Sequence, residues 1–152
     1  MKVAFIAVGT VHHYVDGIVP RVFKELERRN EIRNVYYCNG KNIKDIVEID
    51  EELQSKGYEV IAVDVSFFTS KDKRMIKTKD CIRPGSGINK KSYPIGTMGL
   101  VINISDMYRN KKMRNELFLK NVITPRIVRL TKKKERRLYN AVITLYKDYR
   151  RC

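Results

Sequence analysis

The sequence lacks several features that would assign it to a common class of small protein. It contains only three cysteines, Cys38, Cys81 and Cys152, with no CxxC pair and no zinc-ligand spacing. A disulfide framework and a structural zinc site are therefore not expected. No run of about 18 apolar residues could span a bilayer, and the first residues lead into a strand without a cleavable signal pattern. We expect an intracellular, cytoplasmic protein with no membrane partner.

Acidic residues are scarce in the C-terminal third of the chain. Residues 109–152 contain 15 Lys and Arg but three acids, whereas residues 1–108 contain 17 Lys and Arg and 14 acids. Clustered cations attract polyanions. The region is therefore either a surface that binds nucleic acid or an acidic partner, or a solvated lysine-rich face without a partner.

The 152 residues, 43% of them hydrophobic, are enough for a single domain, 1–152, with its own core. Short apolar runs bounded by turn residues predict strands, and apolar residues three or four apart predict helices. Strands are predicted at 2–9, 35–38, 59–65, 74–78 and 98–104, with helices at 17–29 and 42–56, the second ending at Gly57. This alternation predicts an α/β fold with a mostly parallel sheet.

The C-terminal segment predicts one more helix. Thr131 is a plausible N-cap, and beyond it apolar residues share one helical face that should pack on the sheet. These residues are Leu138, Ala141, Val142, Leu145 and Tyr149. Residues 105–130 give no clear assignment.

Two aspartates follow apolar strands in the N-terminal half. The first strand breaks into the segment GTVHHYVDGIVP, which places Asp16 before the first helix, and the third strand ends in Asp64. Neighbouring parallel strands end at one sheet edge, so we expect both carboxylates in one crevice, where unlike surroundings let one act as base and the other as acid. Taken alone, Asp16 is equally well explained as a helix N-cap and Asp64 as a turn residue. The pair favours catalysis.

A glycine-rich loop at 83–96, RPGSGINKKSYPIG, is the second unusual segment. Glycine permits close backbone approach and proline stiffens the path, so its amides could hold an oxyanion or an extended peptide, with Asn89 as anchor. The alternative is a rigid turn that only closes the sheet edge. His12 and His13 are adjacent, so their side chains point apart on an extended chain, and we expect exposed loop residues with neither a metal nor another cofactor. The alternative is that His12 or His13 joins the aspartates as a metal ligand or a titrating group.

Three sequence blocks, which together span roughly residues 3–104, resemble a known family. They are Gly9-Thr10 followed at fixed spacing by Asp16 and Pro20, the strand that ends in Val63-Asp64, and the loop from Arg83 to Lys90 with Pro94 and Gly96. They are similar to the signatures of the YyaC-type sporulation proteins, relatives of the germination protease of spore-forming bacteria. The resemblance implies a three-layer α/β/α sandwich, also seen in hydrogenase maturation endopeptidases, and an aspartate-dependent peptidase.

Carried onto this chain, the resemblance implies that Asp16 and Asp64 are catalytic. It also implies a substrate-binding set in the first and third blocks, namely Gly9, Thr10, Pro84, Gly85, Ser86, Gly87 and Asn89. The substrates would be proteins or peptides of the type of the small acid-soluble spore proteins, and the location would be the cytoplasm or the forespore.

A function of a different class is a non-catalytic, sporulation-related protein that binds nucleic acid or an acidic partner. Its basic residues would be Lys132-Lys133-Lys134 and Arg136-Arg137, at the start of the last helix, where cations oppose the helix dipole and so do not serve helix stability. A third possibility is the activity of the peptidyl-tRNA hydrolases, which are related at the level of the fold, but the sequence has no histidine pattern that supports it. Either function is compatible with an oligomer.

Overall fold

A computed structural model describes residues 2–84 and 93–151 of the chain. The strands in this part are β1 (Val3–Val8), β2 (Val35–Cys38), β3 (Glu59–Ser66), β4 (Ile76–Lys79) and β5 (Met98–Asn103). The helices are α1 (Ile18–Arg28), α2 (Ile43–Ser55), the short α3 (Lys111–Met113) and the long α4 (Pro125–Arg150). A 3-10 turn, Ser105–Met107, follows β5, and a π-helical turn, Arg114–Phe118, continues α3.

The strands form one sheet in the order β2-β1-β3-β5-β4. β1 pairs in parallel with β2 and β3, and β3 pairs in parallel with β5. β4, observed at Ile76–Lys79 instead of the predicted 74–78, is the antiparallel edge strand. Every residue of β1 is buried, as is usual for a parallel strand covered on both faces. The predicted α/β fold with a mostly parallel sheet is confirmed.

Helices cover both faces of the sheet. On one face α1 and α4 pack side by side, and Phe23, Leu26 and Leu138 belong to the core cluster there. On the other face α2 contributes Ile46 and Leu53 to a second cluster. The architecture is therefore a three-layer α/β/α sandwich. None of the described helices has both the length and the apolar composition needed to cross a bilayer.

The first two helices agree with their predicted ranges to within one residue. α2 ends at Ser55, and Gly57, the predicted stop, follows two residues later with a positive φ of 83°. The N–H groups of Gly57 and Tyr58 donate to carbonyls in the last turn of α2, which satisfies groups that a helix end leaves unpaired.

The last helix begins earlier than predicted. α4 starts at Pro125, and Thr124 is its N-cap, whose Oγ1 accepts a hydrogen bond from the N–H of Ile127 at 3.2 Å. Thr131, the predicted N-cap, lies inside the helix and is fully buried. Proline at the first helical position indicates a helix start, because its missing N–H is not needed there. The cations at 132–134 and 136–137 consequently lie in the interior of α4 and not at its start.

The two threonines give opposite predictions for stability. Thr124→Ala removes the N-cap hydrogen bond and should lower the free energy of unfolding by about 1 kcal/mol. Thr131→Val should leave that free energy unchanged or raise it, because the buried Thr131 hydroxyl has no hydrogen-bond partner in the described chain. Chemical denaturation of both variants measures the difference. A larger loss for Thr131→Val than for Thr124→Ala would contradict this helix start.

Candidate active site

The candidate site lies at the carboxyl end of the sheet, between β1 and β3. The chain leaves the carboxyl end of β1 toward β2, on one side in the strand order, and leaves that of β3 toward β5, on the other side. Where the strand order reverses in this way, a crevice opens at the carboxyl ends of the two strands, and α/β proteins bind ligands there. The loop 9–17, which joins β1 to α1, lies at this edge.

Loop 9–17 folds back onto its own first residue. A Cβ atom on Gly9 would lie 2.3 Å from the backbone oxygen of Asp16 and 2.9 Å from Cδ of Pro20, so only glycine fits. The Gly9 N–H donates to the carbonyl oxygen of Cys38 at 3.0 Å, which ties the loop to the end of β2. The sequence motif of Gly9, Asp16 and Pro20 is thus a set of residues that pack together. Gly9 is buried and positions the loop, so it does not present a surface to a substrate.

Asp16 is held by the backbone of its own loop. The N–H of Thr10 donates to Oδ2 of Asp16 at 2.7 Å, and the N–H of Asp16 donates to Nδ1 of His13 at 3.0 Å. The N-cap of α1 is Gly17, and no side chain caps this helix. The explanation of Asp16 as a helix N-cap is therefore wrong, and its carboxylate faces the site instead of the helix.

His13 joins loop 9–17 to the segment that precedes α4. Because its Nδ1 accepts from Asp16, its proton lies on Nε2, which donates to the carbonyl oxygen of Phe118 at 2.6 Å. The two rings pack with centroids 4.5 Å apart. Asn121 adds a second link, since its Oδ1 accepts from the N–H of Tyr14 at 2.9 Å. Both ring nitrogens of His13 are thereby occupied, whereas His12 is exposed.

The positioning role of His13 was not predicted from the sequence, because its partner Phe118 lies 105 residues away in a segment without a predicted structure. No local sequence pattern signals a contact over that distance.

Asp64 lies within β3 and not at its end as predicted. The strand continues to Ser66, and Asp64 is paired with Val101 of β5. Alternation along the strand places Asp64 on the same face as Ala62, which packs in the cluster beneath α2. Its Oδ1 accepts a hydrogen bond from the N–H of Val65 at 2.8 Å. No ion pair among the described residues offsets its charge.

The structure brings Asp64 and Asp16 together. Burial raises the pKa of Asp64 well above the usual range of an aspartate, and the negative charge of Asp16 raises it further, while the Val65 hydrogen bond acts in the opposite direction. Burial also raises the pKa of the neighbouring Cys38 thiol, as does the charge of Asp64. Cys38 is therefore not a thiolate nucleophile at neutral pH.

The remaining predicted substrate-binding residues are only partly described. The side chain of Thr10 is exposed beside Asp16. Pro84 is buried and, with Tyr93 and residues 40–45, lines a cavity of about 440 Å³. The predicted roles of Gly85, Ser86, Gly87 and Asn89 fall outside the described residues and stay predictions.

Asp50 anchors the far end of the glycine-rich loop, a role that the sequence analysis missed. It is a buried acid on α2, and its Oδ2 accepts a hydrogen bond from the N–H of Gly96 at 3.2 Å. Its other oxygen accepts from Gln54 at 2.9 Å. The signal in the sequence was an acidic residue on the apolar face of an amphipathic helix, where a carboxylate needs donors.

Comparisons with known proteins add no relative. No protein-family model, no curated protein and no solved structure matches the chain. Within residues 2–84 and 93–151, no three His, Cys, Asp or Glu side chains gather as ligands for a metal ion.

The environment of Asp64 predicts that Asp64→Asn raises the thermal midpoint at neutral pH. Because the pKa of Asp64 is higher in the folded than in the unfolded protein, ionisation destabilises the fold, and this loss grows as the pH rises from the unfolded to the folded pKa. Asparagine removes the charge and keeps an oxygen for the Val65 N–H. The gain should be largest above the folded pKa and should vanish in acid. Thermal unfolding over a pH series measures it.

Asp72→Asn is the matched control, with the opposite sign. Hydrogen bonds from Arg74, with the charges of Arg74 and Lys77, hold the pKa of Asp72 below its usual range. Its charge therefore stabilises the fold above the unfolded pKa, and this contribution is lost as the pH falls through the folded pKa. The control should lower the midpoint at neutral pH. A midpoint below wild type for Asp64→Asn at neutral pH would contradict the placement of Asp64.

Proposed function

We propose that the chain is a peptidase-like hydrolase that uses Asp16 and Asp64 as a catalytic pair. The observation that carries this proposal is a carboxyl group, Asp64, that has no ion pair with a described residue and lies beside a second carboxylate, at the edge of the sheet where ligands bind. A buried carboxyl group without a cation reduces stability when it ionises. Proteins retain such a residue where it has a chemical task, and proton transfer is the task that suits this pair.

The unlike surroundings of the two carboxyl groups divide their roles. Asp64 is kept protonated by burial and acts as the general acid, while Asp16, with one oxygen held by the Thr10 N–H, acts as the general base. Asp16 takes a proton from a water molecule, and the water oxygen bonds to the carbonyl carbon of the substrate. The C–N bond then breaks as the proton of Asp64 passes to the leaving nitrogen.

Two observations support a peptide as the substrate. The Gly9-Thr10, Asp16 and Asp64 blocks resemble those of the spore protease family. In addition, exposed apolar side chains lie both on loop 9–17 and on the segment around Asn121, which is hydrogen-bonded to that loop. Val11 is on the loop, and Leu119, which is 68% exposed, Val122 and Ile123 are on the segment. Neighbouring exposed apolar side chains are typical of a surface that receives a peptide.

We predict that the protein cleaves small acid-soluble spore proteins and that Asp16→Asn and Asp64→Asn each slow cleavage by roughly 100-fold or more, the usual contribution of a general acid or base. Cleavage should also decline as the pH rises through the pKa of Asp64, because the acid must carry a proton. Gel analysis of cleavage products over time, with the pH varied, measures both effects.

Glu51→Gln is the control for these substitutions, since it likewise turns an acid into an amide but is exposed on α2, away from the pair. It should cleave like wild type. If the Asp16 and Asp64 variants keep full activity, the pair has no part in the reaction. If wild type cleaves no spore protein or general peptide substrate, the proposed peptidase activity is wrong.

The exposed cations of α4 favour nucleic-acid binding as a second candidate function. Arg129, Lys132, Lys133, Arg136 and Arg137 are exposed, and none of them is in an ion pair with a described acid. Lys134 does not belong to this surface, because it is buried and donates to Asp106. The lysine run at 132–134 therefore presents two cations to a partner and not three.

For this second function we predict that binding to DNA weakens steeply as salt is raised, because bound cations release counterions from phosphates. Replacing Lys132 and Lys133 together by Gln should weaken binding and reduce the slope against salt by about two. Fluorescence anisotropy at several salt concentrations measures this. Replacing the exposed Lys71 and Lys79 by Gln gives the control, which should keep the slope. Binding that is absent or independent of salt would reject this function.

A further inference from the structure

A second cavity lies at the same sheet edge, beyond the ends of β3 and β5. Its volume is about 410 Å³, within the range of small-molecule sites. It is bounded by residues 68–75 after β3, by residues 103–110 and Arg114 after β5, and by Lys134 of α4. Because β3 and β5 are parallel, both lead their chains to this edge. Asp16 and Asp64 do not line the cavity, so it is distinct from the carboxylate pair.

Positive charge exceeds negative charge in the lining. The cationic residues are Lys73, Arg74, Arg109, Arg114 and Lys134, and the acidic residues are Asp72 and Asp106. Asp72 pairs with Arg74 at 2.9 Å, and Asp106 pairs with Lys134 at 2.7 Å. In the described part of the chain, no acid pairs with the other three cations. The cavity therefore attracts an anion.

Arg114 is positioned without being neutralised. Its guanidinium carbon lies 3.8 Å from the centroid of the Phe67 ring, which fixes the side chain against an aromatic face. Its Nε is buried and has no hydrogen-bond partner among the described residues. Leaving such a donor unpaired costs free energy, and Arg114 itself lines the cavity. Arg114 also begins a π-helical turn, a feature that is frequent at functional sites.

Lys134 is a second cation with unused donor capacity. Its side chain is 1% exposed, whereas that of its partner Asp106 is 53% exposed. Nζ donates to Oδ1 of Asp106 at 2.7 Å, and its second neighbour is Sδ of Met75 at 3.4 Å. A thioether is a weak acceptor, so this buried ammonium group, with three donors, has only one strong acceptor on the described chain.

We propose that this cavity binds a small molecule through a phosphate group, held by Arg114, Lys134 and Arg109. A guanidinium group and an ammonium group together match the several acceptor oxygens of phosphate. A phosphate monoester carries between one and two negative charges near neutral pH. It therefore neutralises the excess positive charge of the cavity lining better than a single carboxylate does. The volume suits a phosphorylated metabolite and not a polymer. The site is independent of the proposed peptidase activity.

Calorimetric titration with inorganic phosphate, at neutral pH and constant ionic strength, tests the proposal. Wild type should bind phosphate, and it should bind acetate more weakly. Arg114→Gln should weaken phosphate binding about tenfold or more, the effect of losing one charge-assisted hydrogen bond. Should Arg114→Gln fail to fold without its contact to Phe67, the exposed Arg109→Gln provides a second variant with the same expected loss.

Arg33→Gln is the matched control, because it removes the same charge from an exposed position outside both the cavity and the cationic face of α4. It should change phosphate affinity less than twofold. Asp64→Asn should bind phosphate like wild type whether or not it cleaves peptides, which separates this test from that of the peptidase. Absence of phosphate binding by wild type, an equal loss in Arg33→Gln, or displacement of phosphate from the cavity by a DNA oligonucleotide would overturn the proposal.

Discussion

Parallel pairing of β1 with β3 is the interaction on which the candidate active site depends. The register places Val3 beside Glu59 and Ala7 beside Val63, so both strands lead to one edge of the sheet. Helices cover both faces, and a carboxyl group on β3 near that edge is consequently removed from water. The raised pKa of Asp64 therefore follows from the architecture as much as from its neighbour Asp16. If β1 and β3 were antiparallel, their carboxyl ends would lie at opposite edges of the sheet, and the two acids would be separated by the length of a strand.

One aromatic cluster holds both proposed sites in place. The ring of Phe118 packs against His13, which bonds the backbone of Asp16, and it contacts Phe67 at 5.1 Å between centroids. Phe67 in turn supports Arg114 in the phosphate-binding cavity. The segment after β5 thus fixes the loop of the carboxylate pair and the cation of the cavity relative to each other. These packing contacts make the two sites rigid relative to each other. For binding at one site to change the other, the segment would need a second conformation.

Two buried polar groups, Arg114 Nε and the Thr131 hydroxyl, have no hydrogen-bond partner among the described residues, and the Asp64 carboxyl group has one hydrogen bond but no cation. Asp64 lies at the carboxyl edge of the sheet beside a second carboxylate, where a carboxyl group without a cation suits a reaction. Arg114 lies at the same edge beside the cavity, where a cation with an unpaired donor suits a ligand. The Thr131 hydroxyl is buried within α4, one turn before Lys134, and Thr131 does not line the cavity. Nothing in the surroundings of Thr131 indicates a function, so its unpaired hydroxyl only lowers the free energy of unfolding.

The sequence by itself determined the four parallel strands and the first two helices, because apolar periodicity and Gly57 as a helix stop act within a few residues. It also predicted Asp16 and Asp64 as a pair and placed Gly9, Asp16 and Pro20 in one motif. Only the tertiary structure decided where α4 begins, that Asp16 is not a helix cap, that Lys134 is buried beside Asp106, and that His13 meets Phe118. The last two outcomes depend on contacts between residues 28 and 105 positions apart in the sequence, for which a local pattern carries no signal.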